Sequence, residues 1–291
     1  MKAIITYAVG IILLSSCSSI RYAANKDYPM PKSDYIPDGC LTEVFYKPTI
    51  PGPSEKRMLV YLPPDYGGSD RRYPVLYLLH GARGNEISWI DRGNLLKNAD
   101  SLTRSGAMEE TIIVLPNMNR YADDEDFGKS RKKSSAKSLM DMDGSVETAF
   151  TEDIVATVDR MFRTIPSKDC RAIAGLSIGG VQAMYISAAY PDLFGYVGIF
   201  SPFKKTLTGR GAYSDIYKDI RGKQAVQFAD PPEMYWIMSG ENDIFHPRIE
   251  GSVREMEKKG YDIRYFSTPG RHVWKNWEAY SILFMENLWK Y

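Results

Sequence analysis

Gly175-Leu176-Ser177-Ile178-Gly179 sets a serine two residues from a glycine on either side. This G-x-S-x-G spacing is that of a nucleophile elbow, a tight strand-to-helix turn that lifts a hydroxyl above a sheet. The flanking glycines let the strand and the helix approach. The hydroxyl then lies near a helix N-terminus, which favours developing negative charge. Five residues of this kind recur by chance, but here an apolar strand is expected over 171–174 and a helix over 179–190. That setting makes Ser177 a candidate nucleophile.

A serine hydroxyl needs a base to remove its proton. The chain offers His80, His246 and His272. His272 lies in a loop, Pro269-Gly270-Arg271-His272-Val273-Trp274, after an apolar strand. It is also last in the order serine, acid, histidine. It is read as the general base. His80 ends an apolar run before Gly81 and is read as structural, positioning a loop. His246 is read as a surface residue or a substrate contact. The acid that holds the imidazole in one tautomer is expected in Ser239-Gly240-Glu241-Asn242-Asp243, where Glu241 and Asp243 both qualify. A tetrahedral intermediate needs two backbone N–H donors, one of them on Ile178, the residue after the nucleophile.

These residues must be carried by a scaffold. Strands are expected over 56–62, 73–79, 111–115, 171–174, 196–200, 234–238 and 263–267, and helices over 150–162, 179–190, 249–259 and 274–289. Strands alternating with helices imply a mostly parallel sheet with helices on both faces. With 291 residues, 44% hydrophobic and 25% charged, the chain can build a sizeable core. No composition break interrupts 36–291, which is read as one domain. The 37 basic and 36 acidic residues nearly cancel, which leaves no global field to attract nucleic acid. Cys40 and Cys170 could pair in an exported protein. Cys170 directly precedes a central strand and is read as a free, buried thiol. No Cys-x-x-Cys or histidine cluster points to a metal. Residues 117–147 are polar and long for a βα connection. They are read as a solvated loop or as a lid at the strand ends, where ligands bind.

The N-terminus is not read as fold. Lys2 precedes an apolar run over 3–14, too short to span a bilayer and fitting a signal peptide. Leu14-Ser15-Ser16-Cys17 resembles a bacterial lipobox. That resemblance implies cleavage before Cys17 and its lipidation, hence an exported, membrane-anchored lipoprotein with 1–17 as signal peptide. The polar stretch 18–35 is read as a tether.

Seven ordered segments carry a wider resemblance: LPPDY (62–66), YPVLYLLHG (73–81), IIVLPN (112–117), RAIAGLSIGG (171–180), YPDLFGYVGIFS (190–201), SGENDIF (239–245) and GRHVWKNW (270–277). The chain is similar to the esterase D-like branch of the α/β hydrolases, and within it to carbohydrate esterase family one, the feruloyl and acetylxylan esterases. The resemblance implies an α/β-hydrolase fold and Asp243 as the acid. It also implies the Ala82 N–H as second oxyanion donor, with no metal and no organic cofactor. The substrate it implies is an acylated carbohydrate or small ester. Acyl transfer, hydrolysis of siderophore or thiol esters, and non-catalytic carbohydrate binding are the rival readings; the last requires a lost triad member, and none is lost. The family loop usually reads His-Gly-x-Gly-Gly, whereas here it is His80-Gly81-Ala82-Arg83-Gly84. Arg83 is thus a candidate contact for the acyl group or the sugar. Arg271 stands where a small residue is usual. Trp89, Trp236, Trp274 and Trp277 could line the site, with Trp274, two residues after His272, the best placed.

Overall fold

The computed structural model describes residues 28–120, 142–203 and 211–290. Cys17, the signal peptide and most of the polar stretch 117–147 lie outside them.

Eight strands form one sheet in the order β1-β2-β4-β3-β5-β6-β7-β8. They are β1 (Cys40–Tyr46), β2 (Lys56–Leu62), β3 (Val75–Leu79), β4 (Ile112–Pro116), β5 (Arg171–Leu176), β6 (Tyr196–Phe200), β7 (Met234–Gly240) and β8 (Arg264–Thr268). β1, β2 and β4 pair antiparallel, while β4, β3, β5, β6, β7 and β8 run parallel. The mostly parallel α/β architecture is therefore the one the alternating pattern implies. β1 falls outside the expected strands, because Thr42 and Glu43 interrupt its apolar alternation.

Alternate residues of each strand serve two cores. Val75, Tyr77 and Leu79 of β3 face one core, and Leu76 and Leu78 the other. The first is covered by α3 (Ser145–Ala149), a π-helical turn (Phe150–Val155), α4 (Ala156–Met161), α5 (Ile178–Ala189) and α7 (His246–Lys258). The second is covered by α1 (Ser88–Gly93), α2 (Leu95–Arg104) and α8 (Trp274–Met285). α6 (Ile220–Gln227) lies between β6 and β7 in the chain. Helices on both faces explain why β3, β4 and β5 are buried along their whole length.

Two features go beyond the sequence reading. Residues 28–35, read as the end of a tether, are docked on the domain. The Pro29 carbonyl accepts from Arg57, the Lys32 amide donates to Asp91, and the Tyr35 hydroxyl donates to Asp100. Arg57, at the start of β2, is fully buried between Glu43 at 2.6 Å and Glu86 at 2.7 Å, with Glu86 also accepting from Asn117. Cys170 is a free thiol, half-buried rather than buried.

Candidate active site

The parallel strands end along one edge, and the loops leaving β3, β5, β7 and β8 meet there. Ser177 stands between β5 and α5 with φ 54° and ψ −114°, a conformation a side chain rarely adopts. The neighbouring glycines explain how the turn closes. A Cβ on Gly175 would lie 2.5 Å from the Gly179 backbone, and one on Gly179 would run into the His80 carbonyl. The start of α5 is thereby seated directly against the loop that follows β3.

His272 lies in the loop between β8 and α8. Its Nε2 is 3.0 Å from Ser177 Oγ, and its Nδ1 is 2.8 Å from Asp243 Oδ2. A carboxylate can only accept, so Nδ1 carries the hydrogen and Nε2 is left to accept from the serine hydroxyl. The ring is held edge-on by Phe245 and Trp277, whose centroids lie 5.1 and 4.8 Å away. Asp243 is buried and its Oδ1 accepts from the Phe245 amide at 2.9 Å. Burial by itself would raise its pKa; the hydrogen bonds from His272 and Phe245 outweigh it and hold the carboxyl below its ordinary value. The β7 and β8 loops are laced together by Glu241 N–H to the Thr268 carbonyl and Asn242 N–H to the Gly270 carbonyl. This stitching leaves Glu241 exposed and brings Asp243 inward.

The other candidate residues are placed as follows. The Ala82 and Ile178 amides, after β3 and at the start of α5, are given to no other acceptor among the described residues. Two unspent N–H groups at the ends of adjacent strands suit an oxyanion. His80 Nε2 accepts from the Met118 amide at 2.9 Å, so its Nδ1–H donates to the Gly81 carbonyl at 2.8 Å. This neutral ring fixes the turn preceding Ala82. Asn119 donates to the Gly84 carbonyl from the other side of that loop. Arg83 has φ 60° and an exposed side chain. A left-handed backbone is the physical reason a glycine suits this position. His246 is not brought to the triad: its ring faces Ser239, Tyr265 and Glu250. Trp274 packs edge-on against Trp89 and Trp277 with the Arg92 guanidinium over it. Trp236 lies away from the triad, against Phe266. Phe245, given no role in the sequence reading, packs edge-on against His272; its sequence signal is its place at the end of SGENDIF, two residues beyond Asp243.

Burial of His80 lowers its pKa from 6.5 to about 4, the Lys56 charge adding to burial and the Gly81 hydrogen bond opposing it. Between pH 6.5 and about 4 the unfolded chain therefore binds a proton here that the folded chain does not, and stability falls as pH drops through that window. The full effect is roughly 3 kcal/mol. Urea unfolding of His80→Gln should show a flatter dependence between neutral pH and the acid end of this window than wild type; equal slopes would count against a neutral, buried ring.

The family model described as Esterase matches residues 53–282. An endo-1,4-beta-xylanase/feruloyl esterase of Xylanibacter ruminicola is 30% identical over 224 residues, which cover 75% of this chain and 27% of that protein. The chain spans about a quarter of the length of the curated relatives it matches. Among solved structures, a ferulic acid esterase from Anaeromyces mucronatus aligns with TM-score 0.67 at 22% identity, covering 93% of this chain and 98% of that one. An S-formylglutathione hydrolase from Staphylococcus aureus aligns with TM-score 0.63 at 16% identity, covering 85% and 99%. At these identities the structural likeness concerns the fold, and it is shared by hydrolases of different esters.

Proposed function

Because this chain belongs to the Esterase family, we propose that it is a serine hydrolase of carboxylic esters, acting on acylated polysaccharide or its oligosaccharides. The observation that carries this reading is the continuous line Ser177 Oγ to His272 Nε2 at 3.0 Å and His272 Nδ1 to Asp243 Oδ2 at 2.8 Å. The Ser177 oxygen attacks the ester carbonyl while His272 Nε2 takes its proton. The oxyanion accepts from the Ala82 and Ile178 amides. Asp243 stabilises the imidazolium. Collapse breaks the bond to the alcohol oxygen, which receives the proton from His272. Water, deprotonated by the same nitrogen, then releases the acid and restores Ser177.

The carbohydrate part of the reading is supported by the feruloyl esterase relative. The surface beside His272 fits an ester with an apolar portion: Ile244 and Val273, each next to a triad member, are 76% and 43% exposed. The test is hydrolysis of acetyl, butyryl and feruloyl esters, followed by acylated arabinoxylan fragments. The highest kcat/KM is expected on the acylated oligosaccharide. Hydrolysis confined to thioesters, or none, would overturn the reading.

We further propose presentation at a membrane through a lipid on Cys17. Cys17→Ser should move the protein from the membrane fraction to the soluble one. Unchanged partitioning would remove the anchor from the account.

A further inference from the structure

Arginines in the described residues are mostly spoken for, as with Arg71 on Glu110 and Arg171 on Asp159. Those around the catalytic edge are different. Arg83 follows β3, Arg92 is on α1, Arg248 is in the first turn of α7 and Arg271 precedes His272. Among the described residues, none of these four guanidinium groups has an ion-pair or hydrogen-bond partner, and only Arg92 has a ring contact, 4.9 Å from the Trp274 centroid. The carboxylates on the same segments do not neutralise them. Among the described residues, Asp243 is held by His272, Asp91 accepts from the Lys32 amide, and Glu250 pairs with Arg254, while Glu241 and, at the far end of α7 from Arg248, Glu257 are exposed and unpaired.

Arg83 is the most telling member. It keeps a left-handed backbone, φ 60°, which glycine would adopt without strain. It stands one residue from the amide offered to the oxyanion. A strained residue beside a reacting centre is a pointer to function. Among the described residues its guanidinium has no hydrogen-bond or ion-pair partner that would explain the strain structurally.

Resting on the ester-hydrolase reading above, we propose that this rim selects esters whose alcohol portion carries a carboxylate, such as an acidic sugar unit, with Arg83 as its principal contact. The alcohol side is assigned because the arginines lie on the exposed rim, whereas the segment beside the nucleophile is apolar, with Ile178, Val181 and Phe203 packed together. Guanidinium groups match carboxylates in geometry and remain charged at all relevant pH.

The test compares 4-acetoxybenzoate with 4-acetoxybenzamide, which share the acetyl group and differ in charge on the leaving side. In wild type the kcat/KM ratio of acid to amide should fall as salt is raised through the range where exposed charges are screened. Arg83→Gly should lower that ratio about threefold, the effect of one exposed charge pair, and should melt no lower than wild type. A ratio unchanged by salt and by Arg83→Gly, with both esters still turned over through Ser177, would overturn the proposal and leave the esterase reading standing. A variant that melts lower and loses both esters in parallel would mark Arg83 as structural and also overturn it. Failure of wild type to hydrolyse these two esters and the acetyl, butyryl and feruloyl esters above would remove both readings together, whereas turnover of the latter with neither of these two would overturn the proposal alone.

Discussion

Ser177→Ala is expected to lower ester hydrolysis by about three or more powers of ten while leaving the fold unchanged. The hydroxyl is the group that would form the covalent intermediate. Its removal leaves the His272–Asp243 pair and both oxyanion amides in place, so the residual rate measures what those groups do for a water attack. Stability should hold because, among the described residues, the side-chain hydrogen bond that the serine hydroxyl makes is the one to His272. Alanine inherits the same φ of 54°, so the backbone strain is equal in the two proteins. A serine-directed phosphonate should label wild type and not the variant. Retention of a tenth of wild-type turnover by the variant would remove Ser177 from the nucleophile's role.

The elbow was legible because its requirement is steric and local. Gly175 and Gly179 must lack side chains where α5 crosses the loop after β3, and that requirement is written in five consecutive residues. His272 emerged from a choice among three histidines and from chain order. What depends on contacts between distant segments was not legible. Family resemblance alone favours Asp243 over Glu241 in the sequence; the physical choice is made by how the β7 loop hydrogen-bonds to the β8 loop, which neither segment encodes alone. His246 looked available to a substrate, but Tyr265, nineteen residues away, and Ser239 take its Nδ1 side. Lys56 and Arg57 open a strand expected from the sequence, and nothing local to them says that both are buried. Arg57 is matched by Glu43 on a neighbouring strand and by Glu86 near α1. Charged residues are buried in this way only when paired, and the pairing is a product of the topology.

Asp243→Asn should reduce turnover by about four powers of ten near neutral pH, whereas Glu241→Gln should leave it close to wild type. The asparagine keeps the shape, and its carbonyl oxygen can still accept from the Phe245 amide. Its NH2 group would then face His272, where a carboxylate oxygen now accepts at 2.8 Å. A donor in that place forces Nδ1 to become an acceptor and moves the ring hydrogen to Nε2. That nitrogen could then no longer take the Ser177 proton. The imidazolium formed during attack would also lack its counter-charge. Phe245 and Trp277 would keep the ring in position, so the loss should fall on kcat far more than on KM. A second readout follows from the depressed pKa of Asp243. Its ionised form stabilises the fold above the ordinary carboxylate value of 3.8, and that contribution is lost as pH falls through the lower folded value. The asparagine variant should lack this part of the acid dependence, measured by unfolding at a series of acidic pH values. Glu241 is exposed and its backbone amide, not its carboxylate, joins the β8 loop. A crippled Glu241→Gln beside a nearly normal Asp243→Asn would reassign the acid and leave Ser177 and His272 where they are.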